Sequence, residues 1–103
     1  MDEKIIEIAK LYDQKVINYI PAKMFVLYGS HAKGNATEMS DINLAIVVDK
    51  IPGDYLSISA NLFNLVRNVN KLIEPVLLCS ANDKSGFLES ILKHGKIIYQ
   101  SEN

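Results

Sequence analysis

Three short segments carry residue types that could do chemistry together. Gly29-Ser30 follows the apolar run Met24-Phe25-Val26-Leu27-Tyr28, and Asp41-Ile42-Asn43 opens a second apolar run. Glu74 stands before Pro75 at the head of a third. Glycine at a strand end allows a sharp turn and a close backbone approach to a ligand. Free N–H groups after such a turn bind phosphate well, and the Ser30 hydroxyl adds a donor. Asp41 and Asn43 stand at i and i+2, so on a strand they point to one face and can share one ligand or metal ion. Oxygen donors of this kind suit Mg²⁺, which keeps several waters and takes substrate phosphates as further ligands. The ordinary alternative is that Asp41 caps a turn, Asn43 is a half-exposed strand residue and Glu74 is an acid before a strand proline.

These residues need elements to position them. From Glu3 to about Tyr19, Ile5, Ile8, Tyr12, Val16 and Tyr19 recur at helical spacing, and Pro21 ends that helix. Met24 to Tyr28 reads as a buried strand. Ile42 to Val48 reads as a central one, apolar on both faces: Leu44, Ile46 and Val48 on one, Ala45 and Val47 on the other. After the turn Pro52-Gly53-Asp54, with Asp54 as N-cap, a helix is expected from Tyr55 to about Asn70. Pro75 to Cys79 is a third strand, and a helix from about Lys84 to His94 is stopped by Gly95 as C′ residue. Lys96 to Tyr99 could add a short strand, and Ser101-Glu102-Asn103 is expected to fray. The order α-β-loop-β-α-β-α-β predicts an α/β fold, a small mixed sheet with helices, in a single domain over residues 1–103. Gly29-Ser30 and Asp41 can border one cleft only if their strands run antiparallel. A parallel crossover through the Tyr55 helix would then bring Glu74 to the same sheet edge.

Bulk properties narrow the function classes. Eleven Lys and Arg against twelve Asp and Glu give a net charge of −1, without the basic excess of a general nucleic-acid binder. The single cysteine, Cys79, excludes an internal disulfide and suits a reducing, cytoplasmic setting. The charged start Met1-Asp2-Glu3-Lys4 is unlike a signal peptide, and no apolar run is long enough to span a membrane. Asn35-Ala36-Thr37 matches the glycosylation triplet, which has no meaning without secretion. Two phosphate-binding patterns fail. Gly34 is followed by Asn35-Ala36 and not by the Lys then Ser/Thr of a P-loop, and no G-x-G-x-x-G occurs.

Gly29-Ser30, ten residues, then Asp41-Ile42-Asn43 resembles the G-S-x10-D-x-D signature of the DNA polymerase β-like nucleotidyltransferases, and among them the minimal nucleotidyltransferases of bacteria and archaea. The resemblance extends to the strand before the glycine, Gly34 in the loop, Ser40 before Asp41 and the apolar run after Asn43. It implies that Gly29 and Ser30 bind the nucleotide's β- and γ-phosphates, with His31 and Lys33 where relatives often carry arginine. It also implies that Asp41, Asn43 and, as third acid, Glu74 are the catalytic and Mg²⁺-holding positions. The implied reaction moves AMP from ATP to a hydroxyl, by positioning and electrostatics around a two-metal clamp. The implied partner is a HEPN-type toxin, with this chain as its antitoxin, or a second copy of the chain that completes the acceptor site. A small-molecule transferase of the aminoglycoside type is a further possibility.

Asn43 departs from the signature, which has an aspartate there. An amide oxygen can ligate Mg²⁺ but brings no charge. Two unit charges ~4 Å apart interact by about 4 kcal/mol at an effective dielectric of ~20. Removing one could lower metal occupancy or rate by on the order of a hundredfold. A weakened enzyme, a decayed enzyme that acts as a binding antitoxin, and an engineered amide all stay open. Among the other residues, His94 suits the last turn of a helix, where a cation meets the dipole. Cys79 reads as a small core residue, Arg67 as a surface residue, and Asp49 as a turn acid at the far end of its strand.

Overall fold

The run Ile42-Asn43-Leu44-Ala45-Ile46-Val47-Val48 can be stable only as a strand covered on both faces, and the computed structural model, which describes residues 3–101, places it so. In chain order the elements are α1 (Glu3–Ile17), β1 (Met24–Tyr28), α2 (Ser30–Lys33), β2 (Ile42–Val48), α3 (Tyr55–Val66), β3 (Ile73–Cys79), α4 (Phe87–His94) and β4 (Lys96–Gln100). The strands form one mixed sheet in the order β3-β2-β1-β4. β1 is antiparallel to both β2 and β4, and β2 is parallel to β3. The antiparallel β1–β2 pair and the parallel crossover through α3 are the two pairings that convergence of the three polar segments requires.

Each sheet face has its own core. Leu44, Ile46 and Val48, with Phe25 and Leu27 of β1, pack beneath Ala9, Tyr12 and Val16 of α1 and Ile58, Leu62 and Val66 of α3. The Tyr12 hydroxyl donates to the Leu62 carbonyl at 2.8 Å and ties the two helices together. Ala45 and Val47, with Met24 and Val26, meet Leu88 and Ile91 of α4 on the other face.

Several boundaries differ from the sequence expectations. α1 ends at Ile17, and Tyr19 is 40 % exposed, whereas Ala9 joins the buried stripe. α3 stops at Val66, and a turn follows in which Asn70 Oδ1 accepts the Leu72 N–H at 2.8 Å. β3 begins at Ile73, so Glu74 lies inside the strand; Pro75 is tolerated because β3 is an edge. α4 begins only at Phe87. Gly86 is left-handed at φ 74°, and Asp83 caps the helix from upstream by accepting the Leu88 and Glu89 N–H groups at 2.9 and 3.0 Å. Asp54 caps α3 as expected, accepting the Ser57 N–H at 2.9 Å. Gly95 is not a left-handed C′ residue, because its backbone is extended at φ −94°, ψ −172°. Its requirement is space: a Cβ there would stand 2.5 Å from the Ile91 carbonyl oxygen and 2.7 Å from that of Leu27. Of the expected C-terminal fraying, Glu102 and Asn103 lie outside the described residues, while the Ser101 N–H donates to the Lys23 carbonyl at 2.8 Å. Among the described residues, no helix is long and apolar enough to cross a membrane.

Candidate functional site

The register sets three residues side by side across the sheet: Tyr28 pairs with Asn43, and Asn43 with Glu74. Paired residues point to the same side, so all three project from the face that carries α4, at one sheet end. Adjacent strands lie about 4.8 Å apart, which puts Tyr28 and Glu74 on the order of 10 Å from each other with Asn43 between them. Charge crosses that gap. The Tyr28 hydroxyl is pushed above its ordinary pKa first by burial and then by the Glu74 carboxylate.

Gly29 turns the chain out of β1 with φ 81°, ψ −150°, a conformation closed to residues with a side chain. It is also pressed against β2. A Cβ on Gly29 would stand 2.6 Å from Asn43 Nδ2. A carboxamide is planar with its oxygen and nitrogen diverging, so the Asn43 oxygen is turned away from the glycine. Ser30 then opens α2. The first intrahelical bond runs from the Lys33 N–H to the Gly29 carbonyl, at 3.0 Å, so the N–H groups of Ser30, His31 and Ala32 precede the ladder. This one-turn helix replaces the loop expected from sequence.

Asp41 is held by what flanks it. Thr37 and Ser40 close a turn before it, the Thr37 N–H donating to Ser40 Oγ at 2.8 Å and the Ser40 N–H to the Thr37 carbonyl at 3.1 Å. Just after it, the Ile42 N–H donates to the Leu72 carbonyl at 2.8 Å and starts the pairing with β3. The carboxylate of Asp41 is left exposed at the mouth of β2, two residues before half-buried Asn43.

The short α2 divides the loop's basic residues between two clefts. Lys33 lines one of about 380 Å³, together with Tyr28, Gly29 and α4. His31 lines the other, of about 810 Å³, whose floor is Ile5, Ile8, Ile42 and Leu72 on the opposite side of the turn. The larger cleft holds none of Gly29, Asp41, Asn43 or Glu74. The smaller one is lined by Gly29 and Tyr28 but by none of Ser30, Asp41, Asn43 or Glu74. Sequence reasoning grouped His31 with Lys33; the structure parts them. It also brings in Tyr28, Phe87, Ser90 and His94, which no motif marked. Helical spacing of residues 87, 90, 91 and 94 was the available signal for the last three. Asp49 lies at the far end of β2 and pairs with Lys23 at 3.2 Å. Cys79 is half-buried there, its Sγ 3.2 Å from the Asp49 carbonyl, rather than a core residue.

A family model described as Polymerase beta, Nucleotidyltransferase matches residues 3–103. The chain belongs to the polymerase β nucleotidyltransferase family. A solved structure agrees on the fold: a protein from Sulfolobus solfataricus inferred to be a nucleotidyltransferase, determined at 1.40 Å. It superposes with a TM-score of 0.72 at 18% identity, over 97% of this chain and 84% of that one. No curated protein matches the chain significantly.

Members of the polymerase β nucleotidyltransferase family generally use a divalent metal and a nucleoside triphosphate. Asp41 and Glu74 would offer carboxylate oxygens to such a metal, and Asn43 an amide oxygen. These are hard oxygen donors of the kind Mg²⁺ prefers. Among the described residues, however, no three His, Cys, Asp or Glu side chains group as metal ligands. Asp41, Asn43 and Glu74 would hold Mg²⁺ only where nucleotide phosphates and water completed its coordination.

Proposed function

We propose that the chain is a Mg²⁺-dependent nucleotidyltransferase that moves AMP from ATP to a hydroxyl of a partner protein, and that it acts as the antitoxin of a HEPN-type toxin in the cytoplasm. The observation that carries the reading is the row Tyr28–Asn43–Glu74 with Gly29 packed on Asn43. It supports the reading because a strand-end glycine, an amide and a carboxylate stand side by side at one sheet end. Gly29, Ser30 and Lys33 would hold the β- and γ-phosphates at the end of β1. Asp41, Asn43 and Glu74 would hold Mg²⁺, which supplies positive charge to the phosphates when bound. The α-phosphate would then face β2, and the acceptor hydroxyl would enter from the open β3 side beside Glu74. The acceptor hydroxyl gives its proton to water as its oxygen bonds to the α-phosphorus, the α–β anhydride bond breaks, and pyrophosphate leaves with its electron pair.

The test is the intact mass of the cognate HEPN-type partner after incubation with the protein and Mg-ATP. An AMP adduct that disappears with Asp41→Ala supports the reading; an unchanged mass with native protein refutes it. A second reading is favoured by the amide at position 43, which leaves two carboxylates where the signature implies three: neutralisation by contact, with a decayed site. It expects Asp41→Ala to neutralise the partner as well as native protein does.

A further inference from the structure

The phosphate line does not end at Gly29. In the nucleotidyl-transfer reading, on which this inference rests, the nucleotide chain runs from Asn43 on β2 to Gly29-Ser30 at the end of β1. The next wall in that direction on the same face is α4, which packs on β1. The cleft between them has Gly29 and Lys33 on one side and Ser90 and His94 on the other. Ser90 and His94 are four residues apart, neighbours on one helix face, and both are exposed. Phe87, one turn earlier on that face, meets Tyr28 edge-on at 5.6 Å and closes the end of the cleft. No acidic residue lines it. An ammonium, an imidazole and a hydroxyl line the cleft, and no carboxylate stands among its lining residues, which is a donor set for an anion. The cleft's size falls within the ~300–1,000 Å³ of small-molecule sites.

We propose that Ser90 and His94 of α4, with Lys33, form the subsite for the nucleotide's terminal phosphate and for departing pyrophosphate. α4 is then a wall of the nucleotide site as well as a cover for the sheet. The subsite discriminates triphosphates from monophosphates, because only the outer phosphates reach it.

The test is calorimetric titration of the native chain and of a Ser90→Ala/His94→Gln variant with Mg-ATP, Mg-tripolyphosphate and AMP. Both side chains are exposed, so the variant should keep the native thermal midpoint. ATP and tripolyphosphate should each bind about tenfold more weakly to the variant, as loss of hydrogen bonds to a charged group implies, with AMP unchanged. Unchanged tripolyphosphate affinity overturns the inference. So does a loss confined to ATP, which would mean that the cleft takes the base and not the phosphates. Native protein that binds neither ATP nor tripolyphosphate refutes the parent reading and this inference with it. Native binding of both, with an unaltered variant, removes this inference alone.

Discussion

At the scale of single residues, two positions decide whether the site can work. Gly29 is required twice, by its positive φ and by the Asn43 amide 2.6 Å from where a Cβ would stand. Gly29→Ala should cost about 1–3 kcal/mol in urea unfolding, the usual cost of such strain, and should also displace Asn43. Nucleotide affinity should fall more than stability does, which titration of the folded variant with Mg-ATP would measure. Asn43 carries the opposite expectation. Asn43→Asp keeps the shape and adds a charge between Asp41 and Glu74, so AMP transfer should rise by about tenfold to a hundredfold at limiting Mg²⁺. Initial rates over a Mg²⁺ series would check it. A rate that stays flat would mean that Asn43 does not contact the ion. Gly29, Ser30, Asp41 and Asn43 were legible in sequence because each is tied to a strand end, and strand ends follow from apolar runs bounded by glycine or acid. Ser90 and Phe87 were not, because their role depends on where α4 docks, and docking is a long-range property.

At the scale of elements, α1 contains an unexpected strain. Asp13 shares the buried stripe of Ala9, Tyr12 and Val16, is 2 % exposed, and neither of its carboxylate oxygens has a hydrogen-bond partner. Burial pushes its carboxyl up to about 8, with Lys10 pulling the other way. The folded chain thus keeps a proton that the unfolded chain loses above pH ~4. Stability from this group is complete below that pH and is lost progressively as pH rises through about 8. Asp13→Asn removes the titration, so its unfolding free energy should be nearly level from pH 4 to 9. At pH 9 it should exceed native by on the order of a few kcal/mol. Denaturant titrations at several pH values would decide it. Helical periodicity located α1, but not this conflict; the pattern treats Asp13 as a surface break, whereas packing rotates it inward. The α4–β4 junction teaches a similar lesson. Gly95 looks like a helix stop by type, yet its need is steric, against two carbonyl oxygens. Gly95→Ala should therefore cost more than the few tenths of a kcal/mol of a simple cap change, about 1–3 kcal/mol, read as a lower thermal midpoint.

At the scale of the whole molecule, the sandwich is unequal. Among the described residues, sixteen buried side chains gather on the α1–α3 face and six on the α4 face. α4 is eight residues long and buries only Leu88 and Ile91. An isolated helix of that length is unstable, so α4 depends on this thin contact and on the Asp83 cap. The layer that borders Gly29 and Lys33 is thus the less secured one. Amide exchange should show it. α4 amides should exchange through a local opening of lower free energy than the global unfolding that β1 and β2 amides require. If α4 walls the nucleotide site, Mg-tripolyphosphate should slow exchange in α4 far more than in β2, because a ligand that needs α4 in place penalises its opening. Equal exchange in α4 and β2 without ligand would mean that the smaller core holds as firmly as the larger. The two faces would then share one cooperative unit, and α4 would have no independent freedom to open beside Gly29 and Lys33.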